Sequence, residues 1–419
     1  MSMEVNTNTN LKAPKSFKKR IALIGPGFVA AATGVGTGDL VAALVAGAGF
    51  GLVFVWAIIV GSILKHFLNE GVGRWHLATG KTILEGWQEM GKWATGYFGI
   101  YAVIWGFVYG AAAASACALA MTTMFPVMPF WAWAVIHAIA GFLLVWTGRY
   151  LLFEKVMMFL IGLMFVTVVG SAALFLPNLG DFLKGFVPTI PEGSFLLALG
   201  LVGGVGGTIT MTSYGYWLKE KGWSGKEWVP TMRLDSKAAY TMTAIFTLAL
   251  LIVGSQFLYG TGIELEGEQG LFELTGLLGD KYGGFVSWMF LIGFWSAAFS
   301  SLLGVWNGVP YLFADFVRVV KKRTDRPVTE KDPAYRLFLA WLTFPPLLLL
   351  FFGKPVQLII LYGALGALFM PFLSFSLIWL LNSKKVDKDY RNSPLANIVF
   401  AACILLFAIL AVTKLISIF

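Results

Sequence analysis

The most constraining feature of the chain is an apolar stretch from Ile21 to Leu64 in which Asp39 is the one ionisable side chain. The stretch is long enough for two membrane-spanning helices of about 20 residues each. Around the aspartate, the sequence Gly34-Val35-Gly36-Thr37-Gly38-Asp39 places glycine at alternate positions. Glycine costs about 1 kcal/mol relative to alanine inside a helix, and an ionised carboxylate in hydrocarbon is costly as well. We therefore expect the first span to unwind here, with its freed carbonyls and its carboxylate facing a cavity rather than lipid.

A second glycine cluster supports this interpretation over the alternative, which is a tight helix–helix contact with Asp39 capping the next helix. Between about Gly193 and Leu218, a stretch without charge contains Gly200, Gly203, Gly204, Gly206 and Gly207, and then Thr208, Thr210, Thr212 and Ser213. Two interrupted spans at corresponding places in two halves of a chain indicate the binding site of a secondary transporter.

Composition identifies the class of protein. Of 419 residues, 58% are hydrophobic and 13% are charged, and the mean hydropathy is +0.77. These values predict a polytopic membrane protein in which one membrane domain takes up the chain. In such a protein the net charge of +9 reports Lys and Arg in cytoplasmic loops, so we expect the lipid bilayer, and no nucleic acid, as a partner. The cysteines Cys117 and Cys403 have no metal-site spacing.

Hydropathy predicts eleven spans, at about 17–45, 52–72, 97–122, 130–146, 151–175, 193–218, 238–259, 283–305, 337–352, 356–381 and 395–416. If the N-terminus is cytoplasmic, the outer segments contain, of the Lys and Arg residues, only Lys184, Lys281, Lys354 and Lys414. This asymmetry predicts a cytoplasmic N-terminus and an extracytoplasmic C-terminus in a plasma (inner) membrane of prokaryotic type. Since five is an odd number, spans 1–5 and 6–10 then have opposite orientations.

The predicted fold is therefore an all-α polytopic membrane protein of LeuT type, with two inverted five-helix repeats and breaks in spans 1 and 6. The repeats cover about 18–176 and 190–382, and an extra helix covers 395–416. Residues 1–17 are expected to form a flexible cytoplasmic tail, and 18–419 a single transporter domain, which we expect to be a monomer. In span 2, Lys65, His66 and Glu70 are interpreted as boundary residues whose charged ends reach the cytoplasmic surface. His137 in span 4 is interpreted as a packing residue.

Short motifs along nearly the whole chain resemble, in order, those of one family. They are Gly25-Pro26-Gly27-Phe28 with Phe50-Gly51, Leu77-Ala78-Thr79-Gly80-Lys81, Glu154-Lys155-Val156, Leu183-Lys184-Gly185, Val187-Pro188 with Leu197-Ala198-Leu199-Gly200, Pro371-Phe372 and Arg391-Asn392-Ser393. The family they resemble is the Nramp family of divalent-metal transporters. The resemblance implies its scaffold and the transport of a divalent cation.

The departures from the family pattern lie where the metal should bind. The family's first break reads Asp-Pro-Gly-Asn, and the ungapped match in this chain is Gly36-Thr37-Gly38-Asp39. The sixth break reads Met-Pro-His in the family; the ungapped match is Gly207-Thr208-Ile209, and a shift of four residues would give Met211-Thr212-Ser213 instead. A family glutamine in span 10 is Gly363 in this chain, and the acidic residues of span 3 have no counterpart. The chain looks like a divergent branch, and some relatives of this kind are linked to magnesium.

The candidate site contains one carboxylate, hydroxyl groups and backbone carbonyls, and such an oxygen-only set suits a hard cation. Mg2+ keeps several waters and needs only one or two carboxylates. We therefore expect a divalent-cation transporter of the Mg2+/Mn2+ type that works by alternating access. The missing span 3 acids favour transport without proton coupling. Asp39 is the predicted metal ligand, and the further candidate residues are Gly36, Thr37, Gly203, Gly204, Gly207, Thr208, Met211 and Gly363.

Two other functions remain open from the sequence. On the same scaffold, the site could take a non-metal solute, such as a small organic molecule or an oxyanion, with Asp39 binding an amine, Na+ or a proton. A receptor or scaffold that has lost transport is the third possibility. An enzyme is not expected, since no Ser/His/Asp arrangement and no Cys/His ligand set is evident among the three histidines and two cysteines. No resident cofactor is expected.

Overall fold

The computed structural model describes residues 12–147, 150–263, 265, 268–323, 326–352 and 354–416. Within these ranges the chain is helical, with turns between the helices and no strand. Most of the predicted N-terminal tail, residues 1–11, lies outside the described residues. The all-α fold that the sequence predicts is confirmed.

The described residues form a series of α-helices, which we number along the chain. They are α1 (Phe17–Ile21), α2 (Pro26–Gly34), α3 (Thr37–Phe50), α4 (Val55–Thr79), α5 (Ile83–Met90), α6 (Lys92–Met124), α7 (Phe130–Trp146), α8 (Tyr150–Met164), α9 (Gly170–Ala172), α10 (Leu179–Lys184), α11 (Phe195–Gly204), α12 (Tyr214–Glu220), α13 (Val229–Phe257), α14 (Glu268–Tyr282), α15 (Gly284–Val320), α16 (Pro333–Thr343), α17 (Pro355–Leu381) and α18 (Pro394–Ile416). A π-helical turn, Phe165–Val169, joins α8 to α9, and 3-10 segments cover Ile209–Ser213, Lys226–Trp228, Pro345–Phe352 and Lys388–Tyr390.

The described helices match the eleven predicted spans. Eight segments are long and apolar enough to cross a membrane, and three shorter apolar helices, Asp39–Phe50, Phe130–Trp146 and Pro394–Ile409, fall on predicted spans 1, 4 and 11. The two inverted five-helix repeats are spans 1–5, from α2 to α9, and spans 6–10, from α11 to α17. Helix α18 follows them as the extra span.

Both predicted interruptions are present. Span 1 ends as a helix at Gly34 and resumes at Thr37, with Val35 and Gly36 in a turn between them. Span 6 ends at Gly204 and continues as a 3-10 segment at Ile209. Within this second break, Gly206 and Gly207 have φ angles of +69° and +84°. This region is open to glycine and strained for other residues, which explains the paired glycines.

Several boundaries differ from the sequence prediction. Span 8 was expected to end at Val305, but α15 continues to Val320. Near the end of this extension the charged residues are paired, because Arg318 donates to Asp315 over 2.6 Å and to Glu85 over 3.2 Å. Glu85 belongs to α5, a short helix that begins with a capping box at Thr82 and was not predicted. Helices α10 and α14 were also not predicted.

The broken spans lie inside the bundle. Helix α3 packs along α13, and α11 packs along α17. Asp39 is 1% exposed, and the residues from Gly203 to Ser213 are all buried. The interruptions therefore face protein rather than lipid, as irregular backbone at membrane depth requires.

Candidate functional site

Asp39 connects the two broken spans. It lies in the first turn of α3, where a negative charge is favourable beside the free N–H groups of a helix start. Its Oδ2 accepts a hydrogen bond of 2.8 Å from the backbone N–H of Gly206 in the second break. Its Oδ1 is buried and has no hydrogen-bond partner. Gly204 lies beside this oxygen, since a Cβ added to it would be 3.4 Å from Oδ1. One carboxylate oxygen thus fixes the geometry of the site, and the other is available to a ligand.

The two breaks touch each other through glycine backbone. A Cβ added to Gly34, the last residue of α2, would overlap the backbone of Gly206 and Gly207. Gly207 therefore lies at the contact itself. This close approach explains why both breaks are rich in glycine.

Side chains of neighbouring helices donate hydrogen bonds to several backbone carbonyls at the two breaks. Ser301 of α15 donates to the Thr33 carbonyl over 2.8 Å, and Tyr240 of α13 donates to the Gly206 carbonyl over 3.3 Å. Lys65 of α4 donates to the Gly203 carbonyl over 2.8 Å. The expectation that the carbonyls of Gly203 and Gly206 are bare oxygens facing a cavity is wrong for this conformation. Buried carbonyls without partners are costly, and in this bundle the chain supplies the partners itself.

Lys65 is the largest departure from the sequence analysis. It lies in the middle of α4 and is 0% exposed, so its interpretation as a boundary residue that reaches the membrane surface is wrong. It is also close enough to Asp39 for the two opposite charges to attract each other. The signal was present in the sequence, because a lysine in the middle of an apolar span is expensive and is a candidate for a functional role.

Glu70, one turn further along α4, was also interpreted as a boundary residue. It is 6% exposed and accepts from Arg74 over 2.7 Å and from Arg233 over 2.8 Å. Glu70 and Arg74 are therefore a buried ion pair, to which the half-exposed Arg233 adds a second cation. Breaking such a pair by removing one partner is costly, because it leaves an uncompensated charge inside the protein.

The remaining predicted site residues divide into two groups. Gly36 and Gly363 are close-packing positions, because a Cβ at Gly36 would overlap the Ala297 carbonyl of α15, and one at Gly363 would lie 3.0 Å from the Gly200 carbonyl of α11. At these two positions glycine allows neighbouring helices to pack in close contact. The other candidates are all buried: Gly203 and Gly204 at the end of α11, Gly207 and Thr208 in the second break, and Met211 in the 3-10 segment that follows. The side chain of Thr37 lies outside the described residues.

Asp235, which the sequence analysis did not select, closes the start of α2. Its carboxylate accepts from the backbone N–H groups of Gly25 over 2.9 Å and Gly27 over 2.6 Å. Tyr214, the first residue of α12, donates its hydroxyl to the same carboxylate over 2.7 Å. The first half of span 1 is thereby tied to spans 6 and 7 on the side predicted to be cytoplasmic. The Gly-Pro-Gly sequence, with free N–H groups at a helix start, was a signal that an acceptor must lie nearby.

A cavity of about 500 Å³ lies on the same side. At one end it is lined by Ser213, Asn307 and Gly308, and the charged residues Lys219, Glu220, Glu330 and Lys331 also contribute to its wall. Glu330 lies in the loop between α15 and α16, where burial raises the pKa of its carboxyl group above the ordinary value while the Tyr311 hydroxyl opposes this shift. Ser213 is five residues beyond Thr208, so the cavity lies near the second break, on the side predicted to be cytoplasmic.

Conventional metal ligands are scarce. In the part of the chain that the structure describes, no group of three or more His, Cys, Asp or Glu side chains is placed to hold a metal ion. His137 is occupied in packing, as predicted, because its Nε2 accepts from Trp295 over 2.9 Å and its Nδ1 lies 2.7 Å from the Trp133 carbonyl. Any cation at this site would depend on Asp39, on backbone oxygens and on water.

Comparisons with known proteins agree with this architecture. The sequence model of the family described as "Natural resistance-associated macrophage protein-like", Nramp, matches residues 27–417. Two curated relatives are divalent metal cation transporters named MntH. The protein from Mycobacterium leprae is 23% identical to this chain, and the alignment covers 93% of this chain and 90% of the relative. The one from Staphylococcus saprophyticus is 21% identical and covers 99% of this chain and 96% of its own.

Solved structures show the same fold. The manganese transporter of Eremococcus coleocola, in complex with an aromatic bis-isothiourea compound, superposes with a TM-score of 0.77 at 15% identity, and 98% of this chain and 90% of that chain are covered. A nucleobase-cation-symport-1 family transporter superposes with a TM-score of 0.56 at 14% identity, covering 97% of this chain and 95% of that chain.

Proposed function

We propose, since this chain belongs to the Nramp family, that it is a membrane transporter which moves a divalent cation of the Mg2+/Mn2+ type by alternating access. The observation that carries the proposal is the free Oδ1 of Asp39, a buried carboxylate oxygen without a partner between two broken helices. The two curated relatives are divalent metal cation transporters, and the structure that superposes with a TM-score of 0.77 is a manganese transporter, against 0.56 for the nucleobase-cation transporter. These similarities support a divalent cation over a non-metal solute.

The donor types support a hard cation. The second break, whose Gly206 N–H donates to Asp39, contains the buried hydroxyl of Thr208, and no imidazole is part of it. Oxygen donors suit Mg2+ and Mn2+, whereas soft donors select other metals. A single carboxylate suffices for a cation that keeps part of its water shell, which is typical of Mg2+. We propose that Asp39 contacts the cation directly or through one water, with Thr208 and the carbonyls near Gly204 and Gly207 as further oxygens.

The route and energetics follow from the same contacts. We propose that the cation leaves through the 500 Å³ cavity. This cavity lies on the side of the N-terminus, which we propose to be the cytoplasmic side of a prokaryotic-type plasma membrane.

The driving force is a separate proposal. Asp39 and Asp235 are buried acids in contact with the broken spans, and α6 contains no acidic residue that could relay protons. We therefore propose transport driven by the membrane potential without proton coupling. We also propose that the transporter works as a monomer.

Uptake into liposomes tests the proposal. The purified full-length chain is reconstituted, and initial rates of Mn2+ and Mg2+ entry are measured with a negative-inside potential. We expect uptake by the wild type and a fall of at least about tenfold for Asp39→Asn, which keeps the shape but removes the charge. Asp181→Asn, at an exposed aspartate outside the spans, is the matched control and should transport normally.

Two results would refute the proposal. One is a wild type that carries neither cation above empty liposomes, in which case small acids, amines and oxyanions become the substrates to screen. The other is an Asp39→Asn variant with an undiminished rate, which would separate the transport from this site.

A further inference from the structure

Lys65 occupies a place that a bound cation would otherwise take. Its ammonium donates to the carbonyl of Gly203, next to the last residue of α11. The C-terminal end of a helix carries a partial negative charge and attracts cations. In transporters with broken helices, such half-helix ends and unwound carbonyls are the groups that coordinate a transported or coupled cation. In this chain the group that satisfies the helix end is a covalently attached lysine.

The same ammonium also attracts the carboxylate of the site. Lys65 and Asp39 are both buried and attract each other, while no hydrogen bond joins them, so that Asp39 Oδ1 remains unpaired. Because the protein interior screens charges less than water does, this attraction is stronger than it would be at the protein surface. A divalent cation that approached Asp39 would therefore meet the repulsion of the fixed ammonium and would compete with it for the Gly203 carbonyl.

We propose that Lys65 is a specificity-determining residue that acts as a tethered cation: it competes with the transported ion for the charge of Asp39 and the carbonyl of Gly203, and so sets a low affinity for divalent cations. This inference deepens the proposed function, because it rests on cation binding at Asp39. A site of low affinity serves a cation that is abundant on the side from which it is taken, and it is poorly suited to scavenging a trace metal.

The experiment measures Mn2+ binding to the purified full-length protein in detergent by isothermal titration. The variants are Lys65→Met, which removes charge and hydrogen bond at similar volume, and Lys65→Gln, which keeps an amide donor for Gly203 but removes the charge. We expect both to bind Mn2+ at least about tenfold more tightly than the wild type. In the double variant Asp39→Asn/Lys65→Met, the gain should disappear. Lys81→Met, at a half-exposed lysine beyond the end of the same helix, is the control and should leave the affinity unchanged.

The outcomes separate this inference from the proposed function. If the lysine variants bind Mn2+ and the wild type shows no binding up to the highest concentration titrated, the tethered-cation role is supported. Uptake of Mn2+ by the wild type in liposomes then decides the proposed function separately: uptake supports it, and no uptake above empty liposomes refutes it. If wild type and variants bind with equal affinity, the proposed function stands and the role of Lys65 is refuted. Variants that bind more weakly than the wild type, or not at all, also refute it. Should Lys65→Met fail to fold, Lys65→Gln decides by the same criteria.

Discussion

The backbone N–H of Gly206 donates a 2.8 Å hydrogen bond to Oδ2 of Asp39, and this bond joins the break of span 1 to the break of span 6. The two residues come from different repeats and meet within the bundle, where Gly34 also lies against Gly206 and Gly207. Anything that changes the charge of Asp39 or the space at Gly34 should therefore act on both breaks at once.

The first prediction concerns the energetic coupling of Asp39 and Lys65. Asp39→Asn leaves the buried ammonium of Lys65 without a nearby negative charge. Lys65→Met leaves the buried carboxylate of Asp39 without a nearby positive charge. Each single variant should lower the free energy of unfolding, because an uncompensated buried charge is costly. The double variant should lose less than the sum of the two, by about 1 kcal/mol or more. Unfolding in mixed detergent micelles without metal measures this cycle, and strict additivity would show that the two charges are independent.

The second prediction concerns the contact between the breaks. A methyl group at Gly34 would overlap the backbone of Gly206 and Gly207, which no side-chain rotation can relieve. Gly34→Ala should therefore lower the thermal midpoint and abolish uptake. Gly49→Ala on α3 is the control, because a Cβ there has nothing within 4 Å. Inside a helix this control change should stabilise the protein slightly, by up to about 1 kcal/mol. Equal midpoints for the two variants would contradict the described contact.

The third prediction treats Asp235 as a latch on the first half of span 1. Asp235→Ala removes the acceptor for Gly25, Gly27 and Tyr214 and should free α2 at the predicted cytoplasmic end. A reporter cysteine at Val29, which is 6% exposed, should then react faster with a maleimide. The background carries alanine at Cys117 and Cys403, which are free and buried. Asp235→Asn keeps one acceptor oxygen and should have an intermediate effect; an unchanged rate in Asp235→Ala would show that α2 is held elsewhere.

The fourth prediction is a pH dependence outside the spans. Glu89 at the end of α5 accepts from Lys81 and from Lys385, which lies 3.0 Å away. Although burial opposes its charge, the two lysines hold the pKa of this carboxyl below its ordinary value. A depressed pKa stabilises the fold above the unfolded pKa of about 4.3, and this contribution is lost as the pH falls through the lower folded value.

Glu89→Gln should accordingly lower the thermal midpoint slightly at pH 7, since half-exposed pairs contribute less than about 1 kcal/mol each. The difference from the wild type should shrink below about pH 4, and it should also shrink in high salt. A difference that is constant from pH 7 to about pH 3.5 would assign the effect to packing instead of charge.

The features that the sequence predicts well are those with local causes. The glycine clusters at Gly34–Gly38 and Gly203–Gly207 and the isolated charge of Asp39 each conflict with a continuous helix in hydrocarbon. The number of spans follows from hydropathy in the same way. Both breaks and the span pattern could therefore be located before any contact was known.

The features that the sequence does not predict depend on distant partners. Lys65 meets the carbonyl of a residue 138 positions away, and Asp235 meets the N–H of Gly27 at a separation of 208 positions. Interpreted with its neighbours in the chain, Lys65 resembles a boundary lysine with a long flexible stem, and only the bundle shows that this stem leads inward. The carbonyls predicted to be open to a cargo are occupied for the same reason.

The most direct test of the cation site is X-ray diffraction at the manganese absorption edge from crystals of the wild-type protein grown with Mn2+. We expect an anomalous difference peak beside the free Oδ1 of Asp39, between residues 34–39 and 203–208. A peak at another place in the protein, or none at saturating Mn2+, would contradict it.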